Sequence, residues 1–211
     1  MRIRDIMSTN VVSVDEKTLV GDAKKIMEAH KIRRLPVMKK DKLVGLVTKH
    51  MLLEAAPSPA TSLSIYEVHY LLSKMTVKDI MVKNPYTISP DMPVEEALQL
   101  GQEKGYGGFL VMEKGRLVGV VTESDIVRVM TRILGVREKG KRIDIRVSKQ
   151  FGNFQRIMKI LDENKAVLLS MMTLKEPEEE DWLTILRVKS EDAEPIAKKL
   201  KSSGFDVTYV G

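Results

Sequence analysis

The spacing of hydrophobic and polar residues changes along this chain, and it predicts short strands that alternate with amphipathic helices. In the first fifty residues, an apolar stripe with helical spacing predicts a helix at residues 19–30. Short apolar runs predict strands at 11–14, 35–38 and 43–48, and a polar turn joins the last two as a hairpin. Thr48 then stands where a second helix begins, a position that favours threonine.

The same order of elements returns later in the chain. Strands are predicted at residues 86–89, 109–112 and 117–121, and helices at 94–103 and 124–134. Between the two regions, residues 55–62 have the composition of a linker. Ser64 and Glu67 then have the spacing of a capping box, which predicts a helix from there to about residue 73.

The two regions are copies of one unit. Residues 5–48 align with residues 79–122 at a fixed offset of 74 without a gap, and Asp-Ile-Met and Leu-Val-Gly-x-Val-Thr recur near the two ends of the alignment. An ungapped duplication predicts two copies of one supersecondary unit packed face to face. Such a pair contains two related clefts, and the residues that differ between the copies indicate which cleft binds a ligand.

The last third of the chain has a different pattern. Residues 143–147 alternate strictly between apolar and polar, as in a half-buried strand. Further strands are predicted at 167–174, 183–188 and 205–210, helices at 154–161 and 193–200, and a solvated acidic loop at 176–181. The order β-α-β-β-α-β is the split βαβ arrangement of ferredoxin-like folds. The expected fold class is therefore mixed α+β, with repeats at 1–55 and 77–136, a linker with a helix at 56–76, and a third domain at 141–211.

Composition excludes several classes of function. The 211 residues include no cysteine, which excludes disulfides, thiolate metal sites and cysteine nucleophiles. No segment approaches the roughly 18 apolar residues of a membrane span, and the first residues lack the apolar core of a signal peptide. We therefore expect a cytoplasmic protein without a membrane partner. The three histidines are scattered, so no metal site is predicted.

The net charge of +6 is concentrated in the first fifty residues. These hold 12 Lys and Arg against 6 Asp and Glu, whereas the remaining residues hold 23 of each. Two interpretations remain open: a solvated lysine-rich surface, or a first repeat that faces an anion. Nucleic acid is the usual partner of so basic a chain, but no recognition-helix or aromatic-basic pattern supports it here.

Each copy closes with a strand that runs from a glycine to a threonine. The first copy has Gly45-Leu46-Val47-Thr48, and the second has Gly119-Val120-Val121-Thr122-Glu123-Ser124-Asp125. With the opening motif and the hairpin in register, residues 1–134 resemble a tandem pair of CBS (cystathionine β-synthase) domains. The third domain is similar to an ACT domain through its element order and its Phe151-Gly152-Asn153 turn. The combination resembles the acetoin-utilisation protein B family, which implies regulation by small molecules rather than catalysis.

The closing motif of the second copy has chemistry of its own. The strand delivers Thr122 to a helix N-terminus, where unpaired backbone N–H groups favour a phosphate. Asp125 lies in the first helical turn and can accept hydrogen bonds from both hydroxyls of a ribose. The resemblance implies that an adenine base lies among apolar strand residues, here Val120, Val11 and Val12. A helix cap is the alternative role for Thr122.

The two copies differ at the positions that would hold such a ligand. Met51 stands in the first copy where the second has Asp125, so the ribose acceptor is missing there. The resemblance implies that the Asp125 cleft faces Arg33, Arg34, Leu35 and Pro36, whereas the Met51 cleft faces Gly105-Tyr106-Gly107-Gly108, which offers no cation. The planar guanidinium of arginine suits phosphate, although plain surface charges remain an alternative for both arginines.

These features predict a non-catalytic sensor. The expected ligand of the Asp125 cleft is AMP, ADP, ATP or S-adenosylmethionine, and no cofactor is required. An enzyme is not expected, because no set of general base, nucleophile and electrophile can be assembled. Two alternatives remain: a regulator that binds nucleic acid through the basic first fifty residues, and an accessory enzyme of acetoin or central carbon metabolism, suggested only by the family.

The third domain supplies the remaining predictions. A sheet with helices on one face leaves its other face and an edge strand open to pairing. A homodimer is therefore expected, through CBS helices, the ACT-like sheet or both. A further expected partner is an unidentified protein target that the sensor regulates. In ACT domains a small effector sits near the first strand-to-helix turn, here Gly152, Asn153 and Phe154. A simple helix-start turn is the alternative.

Overall fold

The computed structural model of the protein describes residues 1–55, 64–175 and 180–211. Most of the predicted linker and of the predicted acidic loop lies outside the described residues. The chain divides into two compact units, Met1–Ile126 and Val127–Gly211, which are described one after the other. No helix of the described residues is long and apolar enough to cross a membrane.

The two repeats have the predicted order of elements and belong to the first unit as far as Ile126, within the last helix of the second repeat. The first repeat consists of a 3₁₀ turn at Ile3–Asp5, β1 (Val14–Asp15), α1 (Val20–Ala29), β2 (Arg34–Lys39), β3 (Lys42–Thr48) and α2 (Lys49–Glu54). Helix α3 (Ile65–Lys74) follows. The second repeat consists of α4 (Val77–Ile80), β4 (Val82–Lys83), β5 (Thr87–Ile88), α5 (Val94–Lys104), β6 (Gly108–Glu113), β7 (Arg116–Thr122) and α6 (Glu123–Ile133).

Two strands are shorter than the sequence predicts. The strand expected at residues 11–14 begins only at Val14, and at Val11 the backbone N–H donates to the carbonyl of Thr9 (3.1 Å) in a tight turn. The strand expected at 86–89 is limited to β5. The capping box before α3 is confirmed: Glu67 N–H donates to Ser64 Oγ at 3.3 Å, and Ser64 N–H donates to the Glu67 carboxylate at 2.8 Å.

The repeats exchange their opening segments. One sheet has the order β1-β2-β3-β4, although β4 belongs to the second repeat and pairs with β3 at Leu46↔Val82. Beside the other sheet, β5-β6-β7, Ser8 and Val120 exchange two backbone hydrogen bonds of 2.9 and 3.0 Å. Ser8 and Val82 are equivalent positions of the duplication, so each repeat extends the sheet of the other. The packing of two copies against each other is therefore confirmed.

The exchange explains why the two recurring motifs occur together. The side chain of Met7 lies where a side chain of Gly119 would begin, and Met81 lies in the same way against Gly45. Only glycine leaves room for the methionine of the other repeat. The Asp-Ile-Met motif and the glycine motif are therefore the two sides of one contact, made once in each direction.

An apolar core holds the first repeat together. Its buried members come from both helices and all three strands of that repeat and from the second repeat: Val14, Val20, Ala23, Met27, Leu35, Val37, Val47, Leu52 and Val77. Full burial of each large apolar side chain contributes roughly 1.5–3 kcal/mol of transfer free energy. Because Val77 comes from the opening helix of the second repeat, the core of the first repeat is incomplete without its neighbour.

The second unit is a four-stranded antiparallel sheet with two helices. Its elements are β8 (Lys141–Val147), α7 (Asn153–Glu163), β9 (Val167–Lys175), β10 (Trp182–Lys189), α8 (Glu194–Ser202) and β11 (Asp206–Val210). The strand order β11-β8-β10-β9 places β10 between β8 and β9, which is the predicted split βαβ arrangement. Its core joins both helices to one face of the sheet through Ile143, Ile145, Ile157, Leu161, Leu186 and Leu200.

The other face of this sheet is partly covered, which corrects the expectation of an open face. Ser170 Oγ on β9 donates to the carbonyl of Leu134 at 2.9 Å, and Arg187 on β10 donates to the carbonyl of Glu138 at 3.4 Å. The chain turns after α6 at Gly135, whose φ is +63°, a conformation that glycine adopts without strain. Residues 134–138 therefore lie against one end of the face.

Candidate functional site

The N-terminus of α6 carries the two residues predicted to bind the ligand. Thr122 ends β7, Asp125 lies in the first turn of α6, and both are half-buried. The backbone N–H and the hydroxyl of Thr122 both donate to Oδ2 of Asp125, at 2.9 and 2.6 Å. Asp125 therefore reaches back to the residue before the helix, which is one half of a capping box. A ligand at this helix would meet a carboxylate that Thr122 already holds in place.

The equivalent helix of the first repeat starts differently. The N–H of Met51 donates to Oγ1 of Thr48 at 3.3 Å, which is an ordinary N-cap bond. Met51 has no carboxylate to accept a bond in return. The N-terminus of α2 therefore lacks the acceptor that Asp125 provides at α6.

The opening segment of the first repeat runs beside β7. The pairing of Ser8 with Val120 brings the residues that follow Ser8 close to the strand that leads to Thr122. Val11 and Val12 belong to this segment and, like Val120, are half-buried. The three predicted apolar residues thus lie on two elements that meet at the predicted cleft. Their contact with an adenine base stays a prediction.

Arg34 reaches from the first repeat to the start of α6. A Cβ atom on Gly107 would lie 2.6 Å from Nη2 of Arg34 and 3.5 Å from Oε2 of Glu123, so Gly107 leaves the space in which this guanidinium and carboxylate lie. Burial lowers the pKa of Arg34, the Glu123 carboxylate opposes that shift, and Arg33 adds to it to a smaller extent. The structure therefore brings Arg34 to the helix that carries Thr122 and Asp125.

Arg33 does not lie with Arg34, which corrects the expectation that both face one cleft. Arg33 lies in a bend just before β2, and it lines a separate cavity between α1 and α2. Leu35 and Pro36 are buried, and Leu35 has no exposed surface because it belongs to the core of the first repeat. Within this segment, Arg34 is the residue that the structure brings to α6.

Two residues near the site were missed by sequence reasoning. Glu123 begins α6 at the position where α2 begins with Lys49, and this reversal of charge between the copies is the signal that could have identified it. Gly107 corresponds to Arg33 in the duplication. Its role of leaving space for Arg34 depends on a contact between the repeats, which an alignment of the copies does not contain.

The turn before α7 is the predicted effector site of the second unit. Gly152 has a φ of +90°, and Asn153 is buried. The amide of Asn153 donates to the carbonyl and the hydroxyl of Ser148, both at 3.0 Å, and its Oδ1 accepts from Arg156 at 3.2 Å. These bonds support the alternative of a helix-start turn. Phe154 is 40 % exposed, and effector binding here stays a prediction.

Comparison with known sequences identifies the repeats. The family model of the CBS domain matches residues 3–58 and 77–132. A CBS domain-containing protein of Dictyostelium discoideum is 34 % identical to this chain over 134 residues, which are 63 % of this chain and 92 % of that protein.

Solved structures extend the comparison to bound ligands. A crystal structure from Vibrio cholerae described as an acetoin utilization protein (AcuB) matches with a TM-score of 0.55 and 26 % identity over 66 % of this chain and 96 % of that one. The CBS domain pair of protein MJ0100, in complex with 5′-methylthioadenosine and S-adenosyl-L-methionine, matches with a TM-score of 0.52 and 26 % identity, covering 65 % and 98 % of the two chains.

CBSX2 in complex with AMP is a further match, with a TM-score of 0.51 and 27 % identity over 65 % of this chain and 98 % of that one. The two matched segments of the family model together make up more than half of the 211 residues. They coincide with the two repeats that exchange their opening segments. This chain belongs to the CBS-domain family.

Proposed function

We propose that the protein is a regulatory sensor that binds one adenosine-containing ligand at the N-terminus of α6. The observation that carries this proposal is the convergence of Thr122, Asp125 and Arg34 at one helix start, with Arg34 supplied by the other repeat. The relatives solved with AMP, and with 5′-methylthioadenosine and S-adenosyl-L-methionine, support the class of ligand. AMP, ADP, ATP and S-adenosylmethionine are the candidates.

Each part of such a ligand has a matching group in the cleft. The Asp125 carboxylate, held by two hydrogen bonds from Thr122, accepts from ribose hydroxyls. The N–H groups at the start of α6 and the Arg34 guanidinium both donate to anionic oxygens, which suits a phosphate. Val120, Val11 and Val12 offer apolar surface to the base. This set of groups binds and orients a ligand and includes no nucleophile paired with a base, so we propose binding without catalysis.

Glu123 limits the charge that the cleft tolerates. Its carboxylate lies beside the same Gly107 as the guanidinium of Arg34, so an incoming phosphate competes with Glu123 for that cation. Each additional phosphate brings more negative charge towards the carboxylate, and like charges repel strongly at short range. We therefore propose that AMP and the cationic S-adenosylmethionine bind more tightly than ATP.

The second unit and the assembly complete the proposal. The element order of the second unit fits an ACT-type domain, and the combination fits the acetoin-utilisation protein B family, with domain limits at 1–55, 56–76, 77–136 and 141–211. A small effector near Gly152, Asn153 and Phe154, a homodimer, and a cytoplasmic protein target that responds to the nucleotide belong to the same proposal.

Titration calorimetry of the full chain with AMP, ADP, ATP, S-adenosylmethionine and adenosine tests the proposed function. We expect one site per chain and complete recovery of the unchanged ligand after incubation. Two equal sites would contradict the asymmetry between Asp125 and Met51. Absence of binding for all five ligands would overturn the proposal, and consumption of any of them would favour the accessory enzyme.

The basic first fifty residues support one competing function, a regulator that binds nucleic acid. Binding of that kind is dominated by phosphate contacts and weakens steeply as salt increases, by orders of magnitude between about 50 and 200 mM. An electrophoretic shift assay with random duplex DNA at these two salt concentrations separates the functions. A strong shift that disappears at high salt would favour the competing regulator, and the sensor predicts none.

A further inference from the structure

The first repeat contains a second candidate site, a cavity of about 270 Å³ between α1 and α2, here named the α1–α2 cavity. Its floor is apolar, since Met27 and Leu52 are 2 % and 7 % exposed. The described residues that line it also include four cations and one carboxylate: Lys24, Lys31, Arg33, Lys49 and Glu28. The cavity therefore combines an apolar floor with a surplus of positive charge.

The backbone holds two of these cations side by side. The N–H of Lys49, the first residue of α2, donates to the carbonyl of Arg33 at 2.9 Å. In the part of the chain that the structure describes, none of the four cations forms an ion pair, whereas Lys25 and Lys39 of the same repeat pair with carboxylates at 3.2 and 2.8 Å. The described residues that line the cavity, four cations and one carboxylate, therefore carry a net positive charge.

The second repeat provides an internal control. At the positions of the four cations it has Leu98, Gly105, Gly107 and Glu123, and Tyr106 replaces Ile32. The equivalent cavity between α5 and α6 measures about 10 Å³, which is close to the space of a single water. Because the same fold forms with this cavity filled and without its cations, neither the volume nor the charge of the α1–α2 cavity is required by the fold.

We propose that the α1–α2 cavity is a second effector site that binds a small organic phosphate. The phosphate contacts the cations of Lys31, Arg33 and Lys49, which donate charge-assisted hydrogen bonds, and an apolar group packs on Met27 and Leu52. A volume of about 270 Å³ lies near the lower end of ligand pockets, which start at about 300 Å³, so the apolar group is small. The site has no ribose acceptor and differs in chemistry from the Asp125 cleft.

Calorimetry with 1-naphthyl phosphate as the probe tests this assignment on the full chain. Inorganic phosphate and 1-naphthol supply the two halves of the probe separately. We expect each half to bind at least about tenfold more weakly than the whole, because each makes only one of the two kinds of contact. Equal binding of inorganic phosphate and of the probe would overturn the proposal, since it would indicate a surface anion site without the cavity.

Two variants test the charge and carry a matched control. Lys31 and Lys40 are exposed lysines with nearly the same positive φ, 53° and 54°, so Lys31→Gly and Lys40→Gly remove one cation each at equivalent backbone strain. We expect Lys31→Gly to weaken the probe about threefold or more and Arg33→Gly about tenfold, with no change in Lys40→Gly. Equal weakening by Lys31→Gly and Lys40→Gly would mean that the net charge of the protein attracts the probe, and would overturn the site.

Two further variants test the volume and the independence of the site. Ile32→Tyr copies the residue that stands in the second repeat, and it should abolish probe binding at unchanged charge. Asp125→Ala should leave probe binding unchanged. If this variant no longer binds the probe, the probe binds in the nucleotide cleft instead. A different outcome is that the wild-type chain binds no probe and that Ile32→Tyr dissociates a dimer in sedimentation. A second copy of the chain would then cover the cavity, and the proposal would fail. Failure of AMP to bind the wild-type chain bears only on the function proposed for the Asp125 cleft.

Discussion

At the start of α2 the first repeat has Thr48, Lys49 and Met51, whereas the second repeat starts α6 with Thr122, Glu123 and Asp125. Both helices begin at a threonine, but only the second has a carboxylate that accepts bonds from it. The contacts that join the repeats, a methionine packed against a glycine and antiparallel backbone pairing beside it, occur in both directions. The duplication therefore kept its packing contacts and diverged at its helix starts.

The two repeats also differ in the space between their helices, and here the first repeat has the candidate site. The first repeat has the open, basic α1–α2 cavity. In the second, Tyr106 belongs to a cluster with Tyr86 and Phe109, with ring centroids 6.0 to 6.2 Å apart, and little space remains. Each repeat thus has one candidate site that the other lacks, and four predictions test this contrast.

Loss of the carboxylate at α6 should have the largest effect on ligand binding. We expect Asp125→Ala to weaken AMP by about 1.5–3 kcal/mol, the value of hydrogen bonds to a charged acceptor, as measured by calorimetry. Asp79→Ala is the matched control, because Asp79 accepts the same two bonds from Thr76, both at 2.8 Å, at the start of α4. Unchanged affinity in Asp125→Ala, or equal losses in both variants, would show that Asp125 acts only as a helix cap.

A methyl group at Gly108 should destabilise the protein, whereas one at Gly107 should not. The new Cβ of Gly108→Ala would lie 2.8 Å from the carbonyl oxygen of Val121, and overpacking against backbone costs about 1–3 kcal/mol of unfolding free energy. In Gly107→Ala the nearest atom belongs to the flexible side chain of Arg34, which can move aside. Urea denaturation measures both. Equal stability of the two variants would contradict the close approach of β6 and β7 at this point.

Loss of Arg34 should weaken phosphate recognition, whereas loss of Arg33 should not. We expect Arg34→Ala to weaken AMP relative to adenosine by about 1–2 kcal/mol, below the full value of a charged hydrogen bond because Arg34 is only half-buried. Arg33→Ala should leave the ratio of AMP to adenosine affinity unchanged, since Arg33 lines the α1–α2 cavity. If both variants lower AMP and adenosine affinity equally, the arginines support the fold rather than the phosphate.

The smallest effect is expected from giving α2 the carboxylate that it lacks. Met51→Asp should complete a capping box with Thr48 and stabilise the protein by about 0.5–1 kcal/mol, measured by denaturation. It should not create a second AMP site, because Gly107 and Gly108 stand where the first repeat has its arginines. A second site in calorimetry would show that the carboxylate alone distinguishes the two clefts.

Much of the fold could be predicted because its signals are local. The offset of 74 residues, the helical stripes and the alternation at residues 143–147 predict the order of the elements in both units, and the structure has that order. The predicted limits of the strand at residues 11–14 are wrong. The turn at Val11 contains a local backbone hydrogen bond, and the spacing of apolar residues does not predict such a bond. At the site, Thr122, Asp125 and Met51 could be identified because a duplicated sequence serves as its own reference.

Which side chains meet depends on the tertiary structure. Arg33 and Arg34 are neighbours in the sequence, yet one lines the α1–α2 cavity and the other reaches α6. Asn153 lies in a turn whose sequence predicts an effector site, but its side-chain amide donates hydrogen bonds to Ser148. The direction of a side chain depends on the register and packing of its strand or helix, and contacts between distant segments are absent from any local pattern. The sequence therefore determined which elements form, and their packing determined which residues share a site.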